Sequence, residues 1–426
     1  MYFVTLSKIC NRCFWQNRSV ILQCIRLKNM VSVNEAKQKI IANSGKLSVE
    51  IRKSSESNGY VLAADVVAPL SLPSFRQSSM DGYAICHEDI TEFGVSLPVV
   101  AESKAGESHI QTLSRGMAIR IFTGAPVPDG ATAVIMQEHT AKVKDHIVIN
   151  EFPVEENKNV RRIGQQIQKG NVALEAGTIL GPGSIGFLVG LNVGEVSVYR
   201  KPKVGILITG DELLRPNEEL KHGQVYESNS SMLFAALKNE GVSEIELYYA
   251  SDDLTSTIEA LHKLSENNDL VLASGGISVG DYDFVERALN RIGAETIFYK
   301  VRQKPGKPLL FAKRDETTFF ALPGNPASSL VCYYEYVLPA IRKMTGYTHC
   351  FLRKLKMPIG LAYSFNGERD EFLKAYANDG DVTPLDGQES FVLRSFALAN
   401  ALIYLPATQH VVQKGDLVEV HLLPLF

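Results

Sequence analysis

Apolar runs and helical periodicity alternate through the middle of the chain. Val204 to Ile208 is an apolar run, Ser228 to Asn239 has helical spacing and stops at Gly241, and Ile245 to Ala250 is extended. A helix from Asp253 to Leu264 leads into the strand-like run Leu270 to Ala273, and Asp283 to Arg291 is helical up to Gly293. Thr296 to Val301 and Phe319 to Leu322 add two further strands. This alternation predicts an α/β domain with a largely parallel sheet.

The flanking segments have other rhythms. Ser32 and Glu35 form a capping box, and Val33, Ala36, Ile40 and Ile41 follow with helical spacing, so an ordinary domain starts near Met30. Between Ser74 and Gly164 short runs such as Ala118 to Phe122, Ala133 to Met136 and His146 to Ile149 are broken by Gly, Pro and Asp, which predicts a small β-rich domain. Closely spaced glycines from Gly164 to Arg200 read as the chain passing back through its first domain. After Tyr347, Glu371 to Tyr376, Phe391 to Leu393, Ala401 to Leu405 and Leu417 to Leu422 predict short strands of a small terminal β domain.

The expected division is therefore an extension over 1–29, a mixed linking domain over 30–73 and 165–200, a β-rich domain over 74–164, an α/β domain over 201–347 and a β domain over 348–426. A chain of 426 residues, 45% hydrophobic, is long enough to bury several cores. Residues 1–29 are basic and lack acids, but the apolar stretch from Val20 is broken by Gln23 and Arg26. That argues against a secretory or membrane-spanning segment and favours a start assigned too early.

With 44 basic and 47 acidic residues the net charge is −3, which offers no footprint for nucleic acid or an anionic membrane. Any anion must be bound locally. Six scattered cysteines form no disulfide framework, and Cys10-x-x-Cys13 lacks a second pair at zinc-ligand spacing, so a reducing cytoplasm fits.

In open α/β sheets ligands gather at the carboxyl ends of strands, which singles out the loops after Ile208, Ala273 and Leu322. The first, Thr209-Gly210-Asp211-Glu212, thrusts two acids outward, although a strand-end acid is as often a helix cap. The second, Ser274-Gly275-Gly276-Ile277-Ser278-Val279-Gly280, is dense enough in glycine to bring backbone N–H groups to a phosphate. Asp281 and Asp283 follow it, with the hard oxygens that Mg²⁺ prefers. A plain glycine-rich turn is an even rival. The third, Leu322-Pro323-Gly324-Asn325-Pro326, leads into a helix, while Lys304-Pro305-Gly306-Lys307-Pro308 is either an anion clamp or a solvated turn. In the β-rich part, Asp81 in Ser79-Met80-Asp81-Gly82 and Thr123 in Phe122-Thr123-Gly124 are each ligand groups or turn caps.

Taken in order, seven fragments resemble the molybdopterin molybdotransferase family, which includes the E domain of gephyrin. They are Ser-x-Met-Asp-Gly-Tyr-Ala, Thr-Gly-Ala-x-x-Pro, Thr-Gly-Asp-Glu-Leu, Ser-Asn-Ser, Ser-Gly-Gly-x-Ser-x-Gly-x-x-Asp, Lys-Pro-Gly-Lys-Pro and Leu-Pro-Gly-Asn-Pro, and the likeness runs from Met30 onward. The resemblance implies a multidomain α/β plus β fold with a barrel-like C-terminal domain, a homodimer, and a site between the α/β domain of one subunit and the β-rich domain of its partner. It implies a cytoplasmic, Mg²⁺-dependent transferase that passes molybdate to adenylylated molybdopterin and releases AMP, supplied by an upstream molybdopterin adenylyltransferase.

On the matching positions the resemblance implies that Asp211, Glu212 and Asp283 hold Mg²⁺, that Gly275, Gly276 and Ser278 cradle pterin phosphate and adenylate, and that Lys304 and Lys307 neutralise oxyanion charge. It also places Asp81, Thr123 and the anion-binding Arg161 on the partner side, Ser228 and Asn229 near the adenylate, and Pro323 and Pro326 around molybdate. Two positions depart from the family. Gly164-Gln165-Gln166 puts an amide where an acid is usual, and Lys374 stands where arginine is common. A nucleotide-dependent oxidoreductase is disfavoured, because no Gly-x-Gly-x-x-Gly opens a helix after a first strand. A gephyrin-like scaffold is the remaining alternative to an enzyme.

Overall fold

The computed structural model describes residues 30–107, 111–277, 284–365, 367–409 and 411–424; the extension over 1–29 lies outside them. The chain forms two compact units, one from the described residues of Met1–Glu50, Gly59–Val61 and Tyr199–Phe426, the other from Ile51–Asn58 and Leu62–Val198.

The first unit is built on a six-stranded sheet in the order Ile245–Ala250, Val204–Thr209, Leu270–Ser274, Thr317–Leu322, Leu310–Arg314 and Glu295–Tyr299. The first four strands are parallel, with Val204 opposite both Ile245 and Leu270, and Leu270 opposite Thr318. The last two pairings are antiparallel, so the sheet is largely parallel, as the pattern predicts, with one strand reversed. The reversed strand is Leu310–Arg314, which sequence reading did not assign. It returns through the tight turn at Asp315, whose φ is 52°, and makes a hairpin with Thr317–Leu322.

Successive residues of a strand point to opposite faces, and here both faces are covered. Ile206, Ile208, Leu270 and Leu272 join one core with the helix Asn229–Asn239 and the buried helical run from Pro326 to Met344. Leu207, Val271 and Ala273 join the other with the helices Leu254–Asn267 and Phe284–Arg291. The helical run passes through one π-turn, Tyr333–Val337, directly before Pro339, where a residue lacking its N–H breaks the regular ladder.

The C-terminal part of this unit is a sheet ordered Gln303–Lys304, Asp370–Ala377, Ala401–Leu405, Leu417–Leu422, Lys354–Pro358, with Val382–Pro384 also paired to Asp370–Ala377. Ile359, just past Lys354–Pro358, bridges Val382, so the sheet curls back on itself around Leu373, Ile403, Val418 and Val420. The expected strand over Phe391 to Leu393 is instead a turn ahead of the short helix Arg394–Leu398.

Ser32 caps the helix Val33–Asn43 by accepting from the Glu35 N–H at 3.2 Å, as its sequence predicts. Less expected is Lys37 on its inner face, which is buried and hydrogen-bonded to the buried Glu335. Glu335 also bonds His421 Nδ1 at 2.6 Å, and His421 Nε2 bonds Glu419 at 2.9 Å. Burial opposes charge on Glu335, yet Lys37 and His421 outweigh it and hold the carboxyl down at about 2. Burial likewise opposes charge on His421, but Glu335 and Glu419 raise it above the ordinary histidine value.

The second unit carries a sheet ordered Ala133–Met136, Gly82–Ile85, Ala118–Ile121, Val95–Ser103, His146–Ile149, Thr140–Val143. Three of these strands coincide with the predicted runs. Segments on either side of it meet again where Val66–Val67 pairs with Val172–Leu174 and Leu62 bridges Val198.

Removing one member of a buried ion pair strands its partner, so Glu335→Leu is expected to cost about 3–5 kcal/mol in denaturant unfolding. Because the Glu335 pKa is depressed from 4.5 to about 2, its contribution is present above 4.5 and lost as pH falls towards 2. His421 is raised, so its contribution is full below the unfolded value of 6.5 and is lost as pH rises through the folded pKa. His421→Asn should abolish that alkaline loss; an unchanged pH slope of the unfolding midpoint would contradict this assignment.

Candidate functional site

In the first unit the carboxyl ends of Val204–Thr209, Leu270–Ser274 and Thr317–Leu322 open into a cleft of about 650 Å³. Its walls include Glu212, Ser228, Asn229, Gly275, Gly276, Pro323 and Pro326, seven residues singled out from sequence. Ser278 and Asp283 lie outside the described residues.

The strand ends are drawn together at close range. A side chain at Gly275 would place its Cβ 2.5 Å from the Thr209 carbonyl oxygen, and φ there is +98°, so only glycine lets the two loops meet. Asn229 donates through Nδ2 to Ser274 Oγ at 2.8 Å and to the Gly324 carbonyl at 2.7 Å, joining the other two loops. Among the described residues, the buried Asn229 Oδ1 and Thr209 Oγ1 have no hydrogen-bond partner. Buried polar atoms are rarely left so, and both lie on cleft-lining residues.

The acids divide their work. Glu212 lines the cleft, while Asp211 Oδ1 accepts from the Asp252 N–H at 3.2 Å. Asp252 also faces the cleft, and its carboxyl is raised by burial first and then by the charges of Asp211, Glu212 and Asp253. Asp253 is a cap: it accepts from Ser256 N–H at 2.9 Å and Ser256 Oγ at 2.6 Å at the start of Leu254–Asn267. Sequence reading named Asp253 only as a helix start and passed over Asp252, although both follow a strand carboxyl end.

The two lysines differ in their placement. Lys304 pairs with Glu371 at 3.0 Å on the adjoining C-terminal sheet and does not line the cleft. Lys307 is half-buried, and its loop reaches the cleft through Pro308. Tyr226, Glu227, Asn325 and Phe391 line the cleft without having been singled out. Phe391 had only a strand-like pattern to announce it. It is carried by a turn that buried Lys374 holds through the carbonyls of Gly387, Glu389 and Val392 at 2.7, 3.2 and 2.9 Å. Lys374 is thus committed to the backbone, and burial lowers its pKa.

In the second unit, Gly82–Ile85 pairs with Ala118–Ile121, which brings the residues flanking them together. Asp81 Oδ1 accepts from both the N–H and the hydroxyl of Thr123, each at 2.8 Å. These two bonds, the backbone one foremost, hold the Asp81 carboxyl below the usual carboxylate range, and Arg120 adds to the effect. Both side chains stay exposed. Arg161 lies apart from this pair, lining a pocket of about 500 Å³ with Gln77, Gln165 and Gln166.

Thr123→Ala removes the second of the two bonds and leaves the first, so the Asp81 pKa should rise part of the way back, as read by NMR titration; no movement would mean the hydroxyl bond is not formed in solution. Gly275→Ala should destabilise the fold by at least ~2 kcal/mol, through both the clash and the positive φ, and a near-neutral effect would refute the close approach.

Residues 31–191 match the MoeA N-terminal region (domain I and II), residues 205–343 a "Probable molybdopterin binding domain", and residues 356–423 the MoeA C-terminal region (domain IV). A molybdopterin molybdenumtransferase of Haemophilus influenzae is 33% identical over 402 residues, covering 92% of this chain and 98% of the relative. One of Staphylococcus aureus is 30% identical over 405 residues, covering 93% and 96%. The crystal structure of a molybdopterin biosynthesis moeA protein from Pyrococcus horikoshii superposes with a TM-score of 0.81 at 30% identity, covering 93% of this chain and all of that one. With all three regions present in order and relatives matched over nearly their whole length, this chain belongs to the MoeA family of molybdopterin molybdenumtransferases.

Proposed function

We propose that this chain catalyses the insertion of molybdate into adenylylated molybdopterin, with hydrolysis of the adenylate bond and release of AMP. The observation that carries the reading is the cleft, where acids on one side face glycine-rich loops on another and orphaned polar atoms point to a ligand. The N–H groups of Gly275 and Gly276 suit phosphoryl oxygens, and Asn229 Oδ1 and Thr209 Oγ1 suit donors of the organic part. Asp252, held above the ordinary aspartate range, is suited to take a proton from the attacking water as the phosphoanhydride P–O bond breaks and AMP leaves.

Mg²⁺ is part of the proposal. Among the described residues no three His, Cys, Asp or Glu side chains form a metal cluster. Mg²⁺ is commonly held by one or two carboxylates plus substrate phosphates. Asp211 and Glu212, whose charges add to burial in raising Asp252, match that count, with Asp283 as expected from sequence, and leave Asp252 as the base. When bound, the ion would neutralise charge developing on the phosphoryl oxygens.

The same reading includes Asp81, Thr123 and Arg161 acting from the partner subunit of a homodimer, and a molybdopterin adenylyltransferase as supplier. A cytoplasmic setting agrees with the unpaired, buried thiols of Cys86, Cys332 and Cys350. Among the described residues no helix is long and apolar enough to cross a membrane.

The test is incubation with adenylylated molybdopterin, Mg²⁺ and micromolar molybdate, following AMP release and cofactor formation. A scaffold would release none. Asp81→Asn and Asp252→Asn are each expected to slow AMP release by about 10²-fold, the scale of a lost acid–base or electrostatic group, with the substrate still bound. Full activity in either variant would remove that residue from the site.

A further inference from the structure

The acids and glycines of the cleft leave one of its walls unexplained. Phe391 lines the cleft, yet 66% of the residue is exposed. A loose loop would fold such a ring inward, but this one is held out from both sides. Lys374, on the strand Asp370–Ala377, binds the carbonyls of Gly387, Glu389 and Val392, and Ser395 Oγ donates to the Gly387 carbonyl at 2.8 Å. From the other side Asn325 Nδ2 donates to Ser390 Oγ at 2.8 Å, and the Ser328 N–H donates to the Ser390 carbonyl at 3.3 Å. The residues flanking Phe391 are thus tied to the C-terminal sheet and to the helical run from Pro326, so the ring is in place before a ligand arrives.

Its position along the cleft follows from the sheet. Val204–Thr209, Leu270–Ser274 and Thr317–Leu322 are neighbours in that order. Gly275 and Gly276 therefore turn in the middle of the cleft, and Phe391, beside Asn325, stands at the end formed by the loop from Pro323 to Pro326. At the other end the loop after Thr209 brings Val225 and Tyr226, both exposed, to the wall. The Tyr226 hydroxyl donates to the Glu218 carbonyl at 2.8 Å within that loop, which leaves its ring as the part that faces a ligand. The cleft has apolar faces towards its ends and the backbone N–H groups of Gly275 and Gly276 between them. A complementary ligand has a charged middle and a flat ring reaching outward.

The geometry points to Phe391 as the residue that stacks on a flat heteroaromatic ring of the substrate, at the proline-loop end of the cleft. An aromatic side chain holds such a ring face to face whatever groups decorate the ring's edge. The adenylylated molybdopterin of the reading above carries two candidates, adenine and the pyrimidinone ring of the pterin, on either side of a diphosphate. The identity of the ring rests on that reading, while the stacking rests on the placement of Phe391. Phe391 is thereby a specificity residue, favouring substrates that carry the ring over the phosphates alone.

Phe391→Trp supplies a reporter, because Trp15 is the only tryptophan of the chain. Its fluorescence, corrected for that of the parent chain, should be quenched saturably by AMP or by hydroxymethylpterin and not by inorganic pyrophosphate. In equilibrium dialysis of the full chain, Phe391→Ala and Phe391→Leu should each weaken the ring-bearing probe about five- to a hundredfold, the scale of one lost stack. Pyrophosphate binding should stay as it is, which shows that the cleft is intact. Loss for AMP alone identifies adenine, loss for the pterin alone identifies the pterin, and loss for both identifies a rim that accepts either ring. The proposal is overturned by ring affinity that survives Phe391→Ala or Phe391→Leu, by ring and pyrophosphate affinity lost together, or by a wild-type chain that binds neither ring probe. AMP release on the same samples is a separate readout, in which Phe391→Ala should raise KM by the same factor with kcat little changed. A wild-type chain that binds the ring and releases no AMP removes the functional reading alone, and an unchanged KM in Phe391→Ala removes the stacking alone.

Discussion

The first unit is organised around the buried contact of Glu335 with Lys37 and His421. These three side chains come from the N-terminal helix, the buried helical run and the last strand of the C-terminal sheet. A charge inside a protein is tolerated only with its partners in place, so the contact specifies how the three elements must meet. It also has consequences at the cleft. The helical run it anchors begins at Pro326, a wall residue, and Ser328 N–H donates to the Ser390 carbonyl at 3.3 Å beside Phe391. The position of the cleft rim is thereby tied to a network deep in the core.

Within the cleft, short range decides function. The four parallel strands deliver their loops to one edge, where Gly275 lies against the Thr209 carbonyl in a space that a side chain would fill. Burial first, and then the charges of Asp211, Glu212 and Asp253, raise the Asp252 carboxyl. Asp81 is the opposite case, its charge favoured by two donors from Thr123. Burial and like charge thus push one carboxyl up while two hydrogen bonds hold another down, so the same residue type is set apart by its surroundings.

Much of this was legible along the chain. Apolar runs located the strands Val204–Thr209 and Leu270–Ser274, an extended pattern located Ile245–Ala250, and the capping box at Ser32 located the first helix, because burial and helix capping are local demands on residue type. Glycine and proline at the strand ends marked four of the cleft residues, Gly275, Gly276, Pro323 and Pro326, because a backbone that must turn sharply leaves few choices of side chain, and Glu212 was marked by its place after a strand, whereas Ser228 and Asn229 came from the family resemblance.

Tertiary structure decided the rest. Asp252 and Asp253 are neighbours of one residue type, and only the direction of the chain entering its helix makes one a cap and the other a cleft acid. Lys304 reads from the chain as part of an anion clamp or a solvated turn and Lys374 as standing where arginine is common, yet one is paired with Glu371 and the other is enclosed by three carbonyls, partners 67 and up to 18 residues away. Leu310–Arg314 became an antiparallel strand through its hairpin turn, and Phe391 reached the cleft because Lys374 gathered the loop around it. Local pattern fixes which residues are buried or must turn; which charges meet is fixed by long-range packing, since electrostatic partners are chosen by distance in space and leave no periodic trace in the chain.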